Sequence, residues 1–312
     1  MRTPFHVIPR LAAGLTAWLA ASVLAIADVP QPPDRPFLWR VEGGALEKPS
    51  HLFGTIHMSN ERIRQLHPAA EQAFAAADAV FTEISLDMAD QMAGAMLMMR
   101  RDGKTLSEAI GPELTAQLEA QLKAIQPGLD ITILQRMKTW AAAMMVVMLP
   151  HQLDGHKALD MILWERAKAA EKQTGGLEKI QDQVAAFETL NEEEQIIYLR
   201  ETLDSLADAG NIFERLIAAY EAGDGAVLDA LLTESMKLDG DDEHVRNINE
   251  HLIDALITNR DETLAEKIDE ILRDNPGKSS FFAVGAAHFL GDHSIRQHLE
   301  AKGYTITRIS KP

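Results

Sequence analysis

His51-Leu52-Phe53-Gly54-Thr55-Ile56-His57 is the stretch that decides the fold, because an apolar, β-prone run is followed by a glycine and then a histidine. The same order returns near the other end of the chain, in Phe281-Phe282-Ala283-Val284-Gly285-Ala286-Ala287-His288. Glycine lacks a Cβ atom and lets backbone or ligand approach closely. If the fold brings these two strand ends side by side, two imidazoles share one pocket.

Strand patterns occur at both ends of the chain, with helical periodicity between them. Apolar or alternating runs predict strands at residues 37–42, 51–56, 79–84, 281–284 and 304–309, while residues 175–178 fit a short strand or a turn. The period is helical from about residue 88 to 275. We therefore expect an α/β fold, with a small central sheet built from the N- and C-terminal strands and a large helical insertion, as a single domain over residues 37–312.

The first 27 residues are typical of a cleavable signal peptide. Two arginines precede an almost uncharged, Ala- and Leu-rich run, and small residues at positions 25 and 27 favour cleavage after Ala27. Residues 28–36 are rich in proline and predict an extended spacer. The alternative is an uncleaved membrane anchor. No second apolar run reaches the roughly 18–20 residues that cross a bilayer, so we expect a periplasmic or secreted protein without a stable membrane span after cleavage.

Composition narrows the classes of partner. The formal net charge of −17 disfavours binding to nucleic acid, whose phosphates repel an acidic surface. The chain has no cysteine, and 46% hydrophobic residues in a chain of 312 are enough to build a core without disulfides. Composition leaves the oligomeric state open.

Three side chains suggest a metal centre. His57 and His288 follow the two glycine motifs, and Glu83 lies in the predicted strand at 79–84. Two imidazoles and one carboxylate make an open metal site, and a bound divalent ion would activate water for hydrolysis of an amide or ester. The alternative for each histidine is a hydrogen-bonded structural role at a strand end.

The two Gly-x-x-His motifs, together with Thr82-Glu83-Ile84, resemble the TraB/GumN family, which includes the TIKI-type proteases. The similarity runs over nearly all of residues 37–312 and includes Leu159-Asp160, Gly176-Leu177-Glu178 and Gln183. The resemblance implies a metal-dependent peptidase that acts on a peptide or an extended protein tail. It implies His57, Glu83 and His288 as metal ligands, with manganese or cobalt as the ion and zinc as a further option.

Two further residues are candidates for the site. The family tends to have an Arg-Asn pair on a late helix, where this chain has Arg260-Asp261, so the role of the second position is open. Arg260 fits a role in stabilising an oxyanion, in binding a substrate carboxylate or in a structural salt bridge. Glu178 fits a general base or a partner of the metal ligands, or else a solvated turn residue.

Other functions remain open at this level. Methionines at 88, 92, 96 and 99 form a helical stripe that suits a peptide groove, although core packing is the favoured interpretation. A periplasmic protein that captures a peptide, a metal or haem without cleavage is one alternative. A metal-independent hydrolase resembling erythromycin esterases is another. The sequence contains no His-Glu-x-x-His, Walker or Gly-x-Ser-x-Gly pattern.

Overall fold

A computed structural model describes residues 35–57, 61–153, 155–236 and 243–310. The predicted signal peptide, residues 1–27, and residues 28–34 of the predicted spacer lie outside the described residues.

The described residues form one six-stranded mixed sheet. Its strands, in chain order, are β1 (Leu38–Gly43), β2 (Ser50–Thr55), β3 (Ala79–Ile84), β4 (Gln173–Glu178), β5 (Ser280–Gly285) and β6 (Tyr304–Arg308). Their order across the sheet is β4-β3-β5-β2-β1-β6. The first four strands in this order run parallel, whereas β1 is antiparallel to both β2 and β6.

The two Gly-x-x-His strands are direct neighbours. β2 and β5 pair so that Thr55 lies opposite Gly285. On the other side of β5, Thr82 of β3 lies opposite Ala283, and Ile84 lies opposite Glu178 of β4. All six residues of β5 are buried, which explains why its sequence is continuously apolar or small and does not alternate. The carboxyl ends of four strands therefore meet at one edge of the sheet.

The described part of the chain contains eleven α-helices. They are α1 (Pro68–Ala76), α2 (Met88–Leu97), α3 (Leu106–Ile125), α4 (Thr139–Leu153), α5 (Leu159–Ala169), α6 (Ile180–Glu188), α7 (Glu192–Ala222), α8 (Gly225–Met236), α9 (Glu243–Ile253), α10 (Asn259–Asp274) and α11 (Ile295–Ala301). Short 3-10 helices cover Glu61–Arg64, Ile131–Leu134 and Ala286–Phe289, and a π-helical turn covers Asp254–Thr258.

The apolar side chains form three clusters. One face of the sheet packs on α1 and α5, and the other packs on α8, α10, α11 and the end of α7. A third cluster joins α3, α4, α6, α9 and the beginning of α7. The 31-residue helix α7 therefore belongs to both the sheet core and the core of the helical insertion.

The expected α/β fold with a helical insertion is confirmed, with one difference in detail. The insertion supplies β4, so one sheet strand comes from the middle of the chain. Helix α4 includes Pro150 and continues to Leu153, because a proline in the last turn removes only a late backbone hydrogen bond. Within the described residues, no helix is both long and apolar enough to cross a membrane.

Three of the four methionines in the predicted stripe do not pack in the core, so the favoured interpretation was wrong for them. Met88, Met92 and Met96 are 73%, 64% and 58% exposed. Met99, which follows α2, is partly buried and packs against the third apolar cluster, as expected. The helix instead packs through the small residue Gly94, where a Cβ atom would lie 3.0 Å from the side chain of Ile180. A helical period identifies a shared face, but it does not identify which face meets the protein.

Candidate active site

The three predicted metal ligands meet at the carboxyl edge of the parallel strands. His57 lies two residues beyond β2, Glu83 lies in β3, and His288 lies in the 3-10 turn after β5. Nε2 of His57 is 3.2 Å from Oε1 of Glu83, and Nε2 of His288 is 3.9 Å from the same oxygen. The sequence therefore predicted the meeting of three side chains that come from distant parts of the chain.

Gly285 allows this close approach. Its backbone N–H donates to Oε1 of Glu83 at 2.7 Å. A Cβ atom at this position would lie 3.0 Å from Oε1 of Glu83 and 3.0 Å from Nε2 of His57. The absence of a side chain at Gly285 thus leaves space where the imidazole and the carboxylate converge.

A carboxylate orients the ring of His57 through Nδ1, the ring nitrogen that does not face Glu83. Nδ1 of His57 is 2.9 Å from Oδ2 of Asp160, which lies in the first turn of α5. The hydroxyl of Thr55 donates to Oδ1 of Asp160 at 2.6 Å and fixes that carboxylate. The same strand end therefore supplies both His57 and the hydroxyl group that holds its partner.

His288 has an equivalent partner on another helix. Its Nδ1 is 2.6 Å from Oδ1 of Asp261, and both side chains are buried. Asp261 lies in the first turn of α10, directly after the π-helical turn. The position whose role the sequence left open thus contacts a predicted metal ligand, and either Asp or Asn could accept this hydrogen bond.

Arg260 and Glu178 form an ion pair that contacts Glu83. The guanidinium of Arg260 donates to Oε2 of Glu83 at 2.6 Å, to both oxygens of Glu178, and to the carbonyl of Leu256 at 2.8 Å. The side chain of Glu178 is only 4% exposed, so its interpretation as a solvated turn residue was wrong. Gln183 donates to Oε2 of Glu83 at 3.0 Å and to Glu178 at 2.9 Å.

Negative charge exceeds positive charge in this cluster. The cluster contains four carboxylates, those of Glu83, Asp160, Glu178 and Asp261, and one guanidinium, which contacts Glu83 and Glu178. The Asp160 carboxylate raises the pKa of His57 well above its usual value, and Glu83 adds to the rise. A protonated His57 therefore supplies the nearest additional positive charge.

Burial and the neighbouring charges also change the pKa values of two carboxylates, Glu83 and Asp261. Burial alone would raise the pKa of Glu83, but the charges of His57, His288 and Arg260 together lower it well below its usual value. Burial raises the pKa of Asp261, and the hydrogen bond to His288 only partly offsets it. The cluster therefore favours an ionised Glu83.

The donor set fits a divalent metal ion. Among the residues that the structure describes, no group of three His, Cys, Asp or Glu side chains has the geometry of a formed metal site. The distances of 3.2 and 3.9 Å nevertheless bracket the roughly 3.4 Å between two ligands that each lie about 2.1 Å from a tetrahedral ion. Histidine ligands usually donate their other ring N–H to a carboxylate, as both do here.

Several residues that contact the side chains of the site were not identified from the sequence. Asp160 and Gln183 lie in stretches that resemble the family, but no role was assigned to them, because their contacts join positions 103 and 100 residues apart. Thr55 lies within the first motif, where the sequence pattern indicates a strand but not a contact with Asp160. His51 lies at the opposite end of β2, away from the site, and burial lowers its pKa to about 4.

Comparison with known proteins supports the resemblance. The model of the TraB/PrgY/gumN family matches residues 37–308. Metalloprotease TIKI1 of Danio rerio is 26% identical, over 89% of this chain and 64% of that protein, and Metalloprotease TIKI2 of Danio rerio is 29% identical, over 86% and 60%. Metalloprotease TIKI1 of Homo sapiens is 26% identical, over 86% and 61%. The chain thus spans less than two thirds of the length of these relatives. No solved structure matches significantly.

Proposed function

The chain belongs to the TraB/PrgY/gumN family, and from that premise we propose that it is a metal-dependent peptidase acting on a peptide or an extended protein tail. Its relatives named metalloproteases imply a divalent metal ion and a peptide or protein substrate. The observation that carries the proposal is the convergence of His57, Glu83 and His288, with a carboxylate behind each imidazole.

In this proposal Nε2 of His57, Nε2 of His288 and Oε1 of Glu83 are the protein ligands. When bound, a divalent ion lowers the pKa of a coordinated water and polarises a carbonyl group. Asp160 and Asp261 accept the Nδ1 hydrogens, which directs both Nε2 atoms to the same place. The donor set suits manganese, cobalt or zinc, and the resemblance favours the first two.

Arg260 positions Glu83. Oε2 of Glu83 accepts hydrogen bonds from Arg260 and Gln183, so Oε1 is left to face the two histidines. Because the donors of Arg260 contact Glu83, Glu178 and the carbonyl of Leu256, we assign it this orienting role rather than direct contact with substrate. Glu178, in turn, orients Arg260 and Gln183.

We further propose export of the protein to the periplasm or the medium. The basic, then apolar, then small-residue order of residues 1–27 supports this proposal. Residues 37–312 would then act as a single domain. Of the four strands whose carboxyl ends lie at the site, β2, β3 and β5 come from outside the helical insertion and β4 comes from within it.

Peptide capture without cleavage is a second candidate, favoured by the exposed methionines of α2. This helix begins four residues after the end of β3, and its Gly94 packs on Ile180 in the helix that carries Gln183. An adaptable apolar surface of this kind suits varied peptide side chains.

A cleavage screen distinguishes these functions. The chain from residue 28 onward is incubated with a mixed peptide library, and products are read by mass spectrometry. We expect cleavage that a chelator abolishes and that manganese, cobalt or zinc restores. His288→Ala is expected to lose it, whereas His244→Ala, an exposed position on α9, retains it. Binding without products would favour capture, and cleavage that survives complete metal removal would contradict the proposal.

A further inference from the structure

A second pocket lies at the same edge of the sheet, beside β1 and β6. Its volume is about 340 Å³, and its walls include Trp39, Gly225, Leu290, Arg296 and Arg308. We refer to it as the Arg296–Arg308 pocket. The proposed metal centre does not use any of these residues.

Two arginines face this pocket without a carboxylate partner. Their guanidinium carbons lie 5.3 Å (Arg296) and 5.6 Å (Arg308) from the ring centre of Trp39. Among the described residues, neither makes a salt bridge within 4.0 Å. Such pairing would be expected in a protein with a net charge of −17.

Part of each guanidinium is free to bind a ligand. Arg296 donates through Nε to the carbonyl of Phe289 at 2.5 Å. Arg308 donates through Nε to Pro36 and through Nη2 to Gly223. In the described ranges no protein hydrogen bond uses either Nη atom of Arg296 or Nη1 of Arg308. These N–H groups match the acceptors of a carboxylate.

The remaining walls keep the pocket open and leave its charge positive. A Cβ atom on Gly225 would lie 3.2 Å from the side chain of Leu290 and 3.9 Å from Nη1 of Arg308, so a side chain there would enter the pocket. Asp229 is the one carboxylate among the lining residues. Burial, followed by the charges of Arg35 and Arg296, lowers the pKa of Arg308, and the charge of Asp224 only partly offsets this decrease.

The sheet fixes the separation between this pocket and the metal centre. Arg308 lies opposite Trp39, and Leu38 lies opposite Phe53, near the carboxyl end of β2. His288 follows β5, and three strand spacings separate β5 from β6. At about 4.8 Å per spacing the distance is roughly 14 Å, which an extended peptide covers with about four residues.

We infer that the Arg296–Arg308 pocket binds a carboxylate of the peptide, about four residues from the bond held at His57, Glu83 and His288. This inference rests on the proposed peptidase function for the identity of the ligand. The carboxylate belongs either to an acidic side chain or to the carboxyl terminus of the substrate.

Binding to the pocket is measured first, without catalysis. The probe is acetate at constant ionic strength, followed by NMR through the Trp39 indole and the amides of Gly225 and Ala226. We expect saturable shifts in the wild type that Arg296→Gln weakens by about tenfold or more. The matched control is Arg215→Gln, which removes an arginine from an exposed ion pair with Glu234 on neighbouring helices. Shifts that do not saturate, or that persist unchanged in Arg296→Gln, would overturn the anion site.

The second arm identifies the source of the carboxylate. Variants of a cleaved peptide are compared in two series. The first series carries Asp or Asn at each position from two to six residues away from the cleaved bond, and the second has a free or an amidated carboxyl terminus. We expect about a tenfold preference in kcat/KM for an acid near the fourth position, or for a free terminus there, that Arg296→Gln removes. Equal kcat/KM values for all the peptides would overturn the subsite. If no peptide is cleaved at all, the proposed function fails, while the acetate titration still tests the pocket.

Discussion

Replacing Gly285 by alanine tests whether the metal ligands converge where the structure brings them together. The new Cβ atom would lie 3.0 Å from both Oε1 of Glu83 and Nε2 of His57. Relaxing each contact to an ordinary carbon–heteroatom distance of about 3.4 Å moves these donors by roughly 0.4 Å. Functional metal sites hold their ligands within about 0.2 Å of the ideal distance.

We therefore expect Gly285→Ala to weaken metal binding by about 10–100-fold, the range seen when the support of metal ligands is disturbed. Isothermal titration calorimetry with manganese, cobalt and zinc measures the loss. The backbone at Gly285 has φ −49°, which alanine adopts readily, so the effect is steric and local. The free energy of unfolding of the metal-free variant is expected to differ from that of the wild type by about 1 kcal/mol or less, because the half-exposed His57 can move away from the new Cβ atom.

The matched control is Gly54→Ala in the other motif. There a Cβ atom would lie 2.8 Å from Cβ of Phe37 and 3.1 Å from Cα of Ala286, both in the buried core. Overpacking of this kind costs about 1–3 kcal/mol, so this variant is expected to lose stability rather than to crowd the ligands directly. Wild-type metal affinity in Gly285→Ala would refute the reasoning.

Two further predictions concern a partner of the site and the acid stability of the fold. Asp261→Ala removes the hydrogen-bond acceptor for Nδ1 of His288 and is expected to lower metal affinity about 10–100-fold. Asp261→Asn keeps an acceptor and is expected to lose less affinity. Wild-type affinity of Asp261→Ala in calorimetry would contradict this role. The hydrogen bond from Arg100 lowers the pKa of Asp102 to about 2, so its stabilising effect is complete above its unfolded pKa near 4 and is lost as the pH falls toward 2. Between pH 5 and pH 2 the Tm of the wild type should therefore fall more than that of Asp102→Asn, and parallel curves would argue against the effect.

The sheet and the ligand cluster were predictable because their signals are local. Short apolar runs identified five strands, and a glycine followed by a histidine marked two strand ends. Parallel pairing then brings those ends to one edge, which is a general property of α/β sheets. His57, Glu83 and His288 could thus be grouped without knowledge of the intervening helices.

The partners of these ligands were not predictable from spacing. Asp160 and Asp261 lie in the first turns of two helices, where acidic residues are common for reasons unrelated to any site. Their contacts with His57 and His288 depend on how α5 and α10 pack on opposite faces of the sheet. Helix packing of this kind is a tertiary property that leaves no local pattern.

β4 and α2 show two other limits of local patterns. The two glycines of β4 weaken a strand pattern, yet Gly176 is required because a Cβ atom there would collide with the backbone nitrogen of Ser85. In α2 the methionine stripe defines a face, but burial is decided by Gly94 on the other side. Both cases depend on neighbours that are distant in sequence.

Metal content of the purified chain from residue 28 onward is the most direct test of the central claim. Mass spectrometric metal analysis and equilibrium dialysis with manganese, cobalt and zinc compare the wild type with Glu83→Gln, His57→Ala and His288→Ala, with folding checked by circular dichroism. We expect a single tightly bound ion per wild-type chain, and we expect each folded variant to lose it. An ion-free wild type under every condition, or full occupancy retained in all three variants, would contradict it.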